Sequence, residues 1–410
     1  MATIKPFRAM QPNPFYADQL VFTSPQAESV SGGQGPAGVL PPLKTLLETG
    51  ARQRPETPEG QALAYDDITG RLRYLLDTER LWLDKSLAIY IYQVSHGAYS
   101  QTGVWAGLDL SDSIRTHELT FDDSVRRLKN YREHTGLEGS PILLTYSPNG
   151  TIDRILDETK AAYPVIRYEG ISAVHQLWRV AEPEKLHVLC GAFKTIGNVY
   201  LADGHHRHLS AGKLLKEQLQ NGQQPFDTIS ALFMSAAELK MGPYHRVFLP
   251  DVPVSRDWLM EKLLPLFYIQ GSLNNRPVQP VAQHRFGLYF DGEWFELRAK
   301  PKCHAGSHGA VALDVAILQD KVLAPLFGVC DPATDARLKH AGGEHALAEM
   351  ALLFRPNPHA IGFTLCPLTL TELVAAADEG VNHPPKSTWI DPKVPYGLLI
   401  NCHLNPEYNQ

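Results

Sequence analysis

Apolar and polar positions alternate in a rhythm that switches repeatedly between strand and helix periods. Residues 87–94, Leu-Ala-Ile-Tyr-Ile-Tyr-Gln-Val, have strand composition. A second apolar run at 102–110 follows a gap holding Gly97, which predicts a hairpin. The charged stretch from Asp122 to His134 reads as a helix with Asp122 and Asp123 in its first turn. Residues 141–147 predict a buried strand, Asn149-Gly150 a turn and 151–162 a helix, with short strands at 163–168 and 177–180. Leu186, Leu189, Cys190 and Phe193 recur at i, i+3, i+4 and i+7 after Pro183, the period of an amphipathic helix. A strand at 198–202, a helix at 209–220 and a strand at 228–234 continue the alternation, which predicts a mixed α/β fold.

Beyond Pro243 the pattern predicts a helix at 254–268, strained by Pro265, and a hairpin at 285–298 around Asp291-Gly292. Helices at 311–326, 344–354 and 369–377 and strands at 359–366 and 396–402 follow. The predicted organisation is an N-terminal segment over 1–79 packed on a core at 80–250, then an α+β region at 251–410. Residues 1–60 are rich in Pro, Gly and Ser. Their Ser31-Gly32-Gly33-Gln34-Gly35-Pro36 run lacks the Lys-Ser/Thr ending of a phosphate loop and reads as a loop.

Composition narrows the function classes. Apolar residues make up 44% of the 410, enough for a sizeable core. The net charge of −6 disfavours a nucleic-acid partner. The absence of an 18-residue apolar run disfavours a membrane span. The N-terminus lacks the apolar region of a signal peptide. Five scattered cysteines with no CxxC pair point to reduced thiols, hence to a cytoplasmic protein without a zinc site or disulfide scaffold.

The densest candidate chemistry is Asp203-Gly204-His205-His206-Arg207-His208, at the carboxyl end of a predicted strand and the start of a helix. Helix starts attract anions, glycine admits close approach, and arginine forks onto phosphate oxygens. A purely structural alternative stands beside this: Asp203 as a helix cap and the histidines as hydrogen-bonded packing. Three weaker groups accompany it. His117, Glu118 and Thr120 precede the basic helix, with Glu118 a candidate general base. His245 and Arg246 open an apolar run. Lys386, Ser387 and Thr388, with Lys393 downstream, sit in a proline-stiffened loop expected to return to the cleft.

These residues, taken in order, resemble a bacterial and archaeal family known as domain of unknown function 1015 over nearly the full length. The likeness rests on Ile4-Lys5-Pro6-Phe7-Arg8, His117-Glu118-Leu119-Thr120, Pro141 to Tyr146, Ala202 to Arg207, His245-Arg246, Lys386-Ser387-Thr388 and Pro392-Lys393. The chain departs from the family pattern at Ile390-Asp391, at His383-Pro384-Pro385 and after Pro14. The Asp-Gly-His-His-Arg core also resembles the ParB/sulfiredoxin-like superfamily, in which this motif holds nucleotide phosphates, and the free-serine kinases within it. That resemblance implies a ParB-like nucleotide-binding core and transfer of a phosphoryl group from ATP or ADP to a small hydroxyl compound such as serine. Asp203 would orient a magnesium–phosphate unit, Gly204 to Arg207 would cradle phosphates with His206 at the chemistry, and Glu118 would take the acceptor's proton. His117, Thr120, His245, Arg246, Lys386, Ser387 and Thr388 would bind substrate. The implied partners are a nucleotide and a small-molecule substrate, with the oligomeric state open. Two alternatives stay open: an NTP-binding switch without phosphotransfer, and a metal-dependent hydrolase using His205, His206 and His208.

Overall fold

The computed structural model describes residues 1–21, 43–48, 54, 57–118, 120, 122–170, 173–304, 313–332, 334–380 and 386–404. The Ser31–Pro36 run, Leu119, the 311–312 start of one predicted helix and His383–Pro385 lie outside them. The fold is mixed α/β and its contacts separate two compact units. One comprises Met1–Arg115, Thr120–Leu239 and Pro392–Gln410; the other comprises Thr116–Leu119 and Lys240–Asp391. The sequence-based boundaries were placed at 79/80 and 250/251, and the return of the C-terminal residues to the first unit has no counterpart in them.

The first unit is built on a mixed eight-stranded sheet. Its spatial order is Tyr200–Asp203, Ile142–Tyr146, Thr228–Ser235, Tyr99–Asp109, Ile89–His96, Val174–Val180 and Ile166–Glu169, with Ile4–Lys5 also pairing Tyr99–Asp109. The Ile142–Tyr146 and Thr228–Ser235 strands run parallel; the other pairs are antiparallel. Helices Gly150–Lys160 and Pro183–Thr195 bury Ile152, Ile155, Leu189 and Phe193 with the sheet residues Ile91, Val104, Leu144 and Phe233. The apolar spacing read after Pro183 therefore marks a real core face, with Leu186 and Cys190 packed at its margin.

The second unit carries a six-stranded antiparallel sheet in the order Phe267–Gly271, Glu293–Ala299, Arg285–Phe290, Ile361–Leu365, Tyr244–Phe248 and Leu338–Gly342. Phe248, Phe267, Phe286, Phe363 and Leu318 meet in its core.

Several predicted elements change length for physical reasons. The helix after Pro243 spans only Arg256–Leu263, because Pro265 cannot continue it, and the chain turns into the strand Phe267–Gly271. The long helix near residue 320 is Asp314–Leu318, a π turn at Gln319–Leu323, then Ala324–Phe327 ended by left-handed Gly328. The predicted strand at 396–402 keeps ladder pairing only at Asn401–Cys402, against Leu137–Glu138. Among the described residues no helix is long and apolar enough to cross a membrane. None of the five cysteines is in a disulfide.

Candidate functional site

The Asp203 turn grows out of the strand that ends the eight-stranded sheet. Tyr200 and Leu201 pair with Thr145 and Leu144, and the register shifts before Asp203 meets Leu143. On the other side Arg115 N–H donates to Val199 O at 3.0 Å, and Leu201 N–H donates to Arg115 O at 2.8 Å. The irregularity skips Ala202 in the register and so re-aims Asp203 at the strand's carboxyl end. Gly204 then takes φ 98° and ψ 27°, a left-handed conformation. An added Cβ would sit 2.9 Å from Ile142 Cγ2 and 3.1 Å from Arg207 Nη2, so both the backbone angle and the space require glycine.

The helix starts at His205, not Leu209, and runs to Gln220. No side chain at Gly204 caps it, and α-helical geometry aims the first-turn N–H groups out of this end. This start changes the meaning of the three histidines. Successive helical residues project about 100° apart, so His205 and His206 diverge. His205 is buried, while His206 and His208 are half-buried. Among the described residues no three His, Cys, Asp or Glu side chains gather as metal ligands, which removes the geometric basis for a His-His-x-His zinc site.

Arg207 does two things. Its Nη1 donates to Ser140 O at 3.0 Å and also to Pro141 O, bracing the loop before the Ile142–Tyr146 strand. Its Nη2 lies 4.0 Å from Asp203 Oδ2. Lys393 Nζ lies 3.2 Å from the same oxygen, and Asp203 Oδ1 accepts from Gly204 N–H at 3.0 Å. Burial pushes the Asp203 carboxyl up, but Lys393 and Arg207 outweigh it and hold the group below the usual carboxylate range. Lys393, downstream of the Lys386 loop and within the first unit, therefore stands at the motif.

Lys393 is carried there by an anchored segment. Gly397 N–H donates to Gly139 O at 2.8 Å, Met10 and Ile400 exchange backbone hydrogen bonds, and His403 N–H donates to Gly136 O at 2.9 Å. Beneath this segment a buried polar cluster joins Arg132 and Glu138 at 2.9 Å, with side chains 5% and 8% exposed. Glu138 Oε2 also accepts from Ser230 N–H at 2.8 Å and Asn401 Nδ2 at 3.1 Å, with His403 Nε2 at 3.3 Å. Burial opposes ionisation of Glu138, but Arg132 and His403 win and bring its pKa to about 2. Nothing in the hydrophobic pattern signalled this cluster, because its members are spread from residue 132 to 403.

The other predicted residues, apart from Thr120, gather within the second unit. Arg246 is 1% exposed. Its Nη1 donates to Tyr244 O at 3.0 Å and its Nη2 to Lys386 O at 2.7 Å. Lys386, at φ 62°, donates its N–H to Glu118 Oε1 at 3.4 Å. Burial pulls the Arg246 guanidinium down to about 10, against Tyr244 and Glu118. His245 is a structural acceptor: its Nδ1 receives Leu365 N–H at 3.2 Å, and burial with Arg246 lowers its pKa to about 4. His117 and Ser387 are buried, and Thr388 is half-buried. Three distant motifs, His117-Glu118, His245-Arg246 and Lys386, therefore share one polar cluster. Thr120 belongs to the first unit.

Trp389 explains how the Lys386 loop is seated, and sequence reading did not single it out. A Cβ at Gly342, Gly343 or Gly242 would come within 2.0, 2.5 or 2.9 Å of its indole. The ring lies on a floor of glycine backbone, packs edge-on to Tyr244 at 5.5 Å between centroids, and donates through Nε1 to Asp391 Oδ1 at 3.0 Å. The Gly342-Gly343 pair was the available signal, since adjacent glycines beside a strand often mark close approach.

Comparison with known proteins gives a match over residues 4–316 to a family described as Protein of unknown function (DUF1015). No curated protein matches the sequence. Among solved structures, SbnI with a C-terminal truncation from Staphylococcus aureus is 13% identical, covering 72% of this chain and 87% of that one, with a TM-score of 0.38. A free serine kinase mutant in complex with ADP is 14% identical, over 74% and 92% of the two chains, with a TM-score of 0.38. A conserved hypothetical protein from Pyrococcus furiosus is 15% identical, over 73% and 95%, with a TM-score of 0.36.

Proposed function

The chain belongs to the DUF1015 family, and from that premise we propose that it is a nucleotide-dependent phosphotransferase acting on a small hydroxyl compound in the cytoplasm. The observation that carries this is the Asp203 turn: a glycine-capped helix start with Lys393 at 3.2 Å and Arg207 at 4.0 Å on one carboxylate oxygen. Phosphoryl transfer requires mainly positioning and neutralisation of charge. First-turn N–H groups, a lysine and the free edge of an arginine supply both to phosphate oxygens. The likeness of Asp203 through Arg207 to the motif of ParB-like proteins and free-serine kinases supports a nucleotide as donor and makes L-serine the first acceptor to test.

Each residue then has a role. Gly204, His205 and His206 shape the cradle, with His206 donating to the transferred phosphate. Arg207 holds the turn through Ser140 and Pro141 while its Nη2 faces the anion. Magnesium suits this donor set as an ion that arrives with the nucleotide, since it keeps waters and phosphate oxygens and takes one or two carboxylates; Asp203 would hold it, and it would neutralise phosphate charge. Glu118, hydrogen-bonded to Lys386 N–H in the second unit, is the proposed proton acceptor for the hydroxyl. His117, Thr120, His245, Arg246, Lys386, Ser387 and Thr388 remain the proposed substrate-binding set, with His245 acting through Leu365 as a positioning residue.

Equilibrium binding of radiolabelled ATP and ADP, with and without magnesium, tests the donor site. Magnesium-dependent binding is expected, weakened by Lys393→Ala and by Arg207→Ala. Lys393→Ala is the cleaner variant, because Arg207 also braces two carbonyls. No binding at millimolar nucleotide refutes the assignment. Glu118→Gln should abolish phosphate transfer to L-serine or a related alcohol and leave nucleotide binding intact. Binding without turnover in the unaltered protein would favour an NTP-gated switch instead.

A further inference from the structure

The Ile4-to-Arg8 opening is part of the family likeness, yet the phosphotransferase proposal gives it no role. In the fold it converges on Asp84, inside the first unit. Arg8 Nε donates to Asp84 O at 2.8 Å, and Phe7 packs on Tyr90 at 5.3 Å between ring centroids. The Tyr90 hydroxyl donates to Asp84 Oδ2, and Gln11 Nε2 donates to Oδ1 at 3.1 Å. Burial and the Asp84 charge push the Tyr90 phenol up, so it stays the donor. Arg179 Nε donates to Asp84 Oδ2 at 3.3 Å, and its Nη2 donates to Ser86 O at 2.9 Å and Ser86 Oγ at 2.7 Å. Three acceptors therefore fix the plane of the guanidinium. Its Nη1 makes no hydrogen bond among the described residues, and the side chain is 24% exposed.

Arg179 lines an open groove of about 680 Å3, a volume in the range of small-molecule sites. Trp82 lines it too and is 42% exposed. It stands opposite Gln11 in the ladder between Met10–Pro12 and Leu81–Leu83. Directly opposed residues share a face, so the indole lies on the side where Gln11 reaches Asp84. Leu76 and Leu83 extend the apolar wall. The charges are unequal. Arg8, Lys85 and Arg179 surround Asp84, and Asp77 is the other acid of the groove, so three cations face two carboxylates.

We propose that this groove binds a small aryl monocarboxylate, its carboxylate on Arg179 Nη1 and Lys85 and its ring against Trp82. A guanidinium held in place by Asp84 and Ser86 meets a carboxylate without further ordering, and the charge-assisted hydrogen bond is a strong one. An indole prefers an offset or edge-on contact with a planar ring. A phosphate dianion would bring more oxygens than Nη1 and one lysine satisfy and would set the remainder against leucine. The groove is separate from the Asp203 turn. Four strands lie between Tyr200–Asp203 and Val174–Val180 in the sheet, which at ordinary spacing puts the two strands about 24 Å apart.

Calorimetric titration with sodium phenylacetate, against sodium chloride of equal ionic strength, tests this. A ligand of this size should bind with a dissociation constant of roughly a millimolar. Phenylacetamide has the same shape without the charge and should bind about tenfold more weakly. Sodium acetate lacks the ring and should bind roughly threefold to tenfold more weakly. Trp82→Ala removes an exposed side chain and should reproduce the loss seen with acetate. Arg179→Lys keeps a charge beside Asp84 but removes Nη1, and should reproduce the loss seen with phenylacetamide. Equal binding by phenylacetamide or by acetate, undiminished affinity in either variant, or displacement of phenylacetate by sodium phosphate each overturns the proposal, as does the absence of binding up to about 30 mM. The comparison of the three ligands needs only the unaltered protein and decides the matter even if Arg179→Lys does not fold. ATP should leave phenylacetate binding unchanged, and failure here leaves the Asp203 proposal standing.

Discussion

Replacing Glu138 by glutamine removes one charge from the buried cluster that anchors the C-terminal segment. Glu138 titrates at about 2 in the fold, against an ordinary value of 4.5. A difference of about 2.5 units corresponds to roughly 3 kcal/mol of stability. Breaking a buried ion pair by removing one partner costs about 3–5 kcal/mol by a separate route, because Arg132 is left buried beside a neutral group. The two figures agree. At neutral pH, Glu138→Gln should therefore lower unfolding free energy by about 3 kcal/mol and the melting temperature by roughly 6–12 °C. The sign with pH is fixed by the depressed pKa. The contribution is complete above about pH 4.5 and disappears as pH falls through about 2, where protonated glutamate and glutamine are equivalent. Urea unfolding followed by circular dichroism across that range measures the gap. A difference under about 1 kcal/mol at neutral pH, or one that persists unchanged in acid, refutes the account. Asn401 and His403 share this cluster, and the same segment brings Lys393 to Asp203. The variant should also weaken nucleotide binding, although it alters no residue of the turn.

Gly204→Ala should destabilise the first unit by about 1–3 kcal/mol, the cost of a left-handed non-glycine residue, in thermal unfolding; a neutral effect would mean that Ile142 and Arg207 yield freely. His175 and His245 are buried and titrate at about 4 in the fold, with burial the largest cause. Because these values are depressed, the stability they confer is present above the ordinary 6.5 and lost as pH falls from there toward 4. Unfolding free energy should decline over that window, and His245→Gln should flatten the decline. Gly342→Ala should cost about 1–3 kcal/mol in the second unit through overpacking against Trp389, with indole fluorescence reporting the displaced ring.

Local pattern carried most of the secondary structure. The apolar run at 87–94, the hairpin signal at Gly97 and the helical spacing from Leu186 to Phe193 all mark elements present in the fold, because each depends on residues within one turn or one strand length. The Asp203 turn was legible for the same reason: an apolar strand, a glycine and a basic helix start lie within a few positions. Proline explains the shortened helix before Phe267. The helix start at His205 was misplaced because the three histidines have modest intrinsic helix preference, and the glycine cap with tertiary packing overrides it.

What the sequence determined by itself was which segments form strands or helices, and where the dense polar motif falls along them. The tertiary structure alone decided which distant residues meet. Lys393 reaches Asp203, Arg132 reaches Glu138 and His403, and Arg246 reaches Lys386 beside Glu118 through contacts whose sequence separation leaves no periodic trace. Those pairings exist because burial takes the groups out of water and makes an unpaired charge costly, so the fold that satisfies them is selected as a whole.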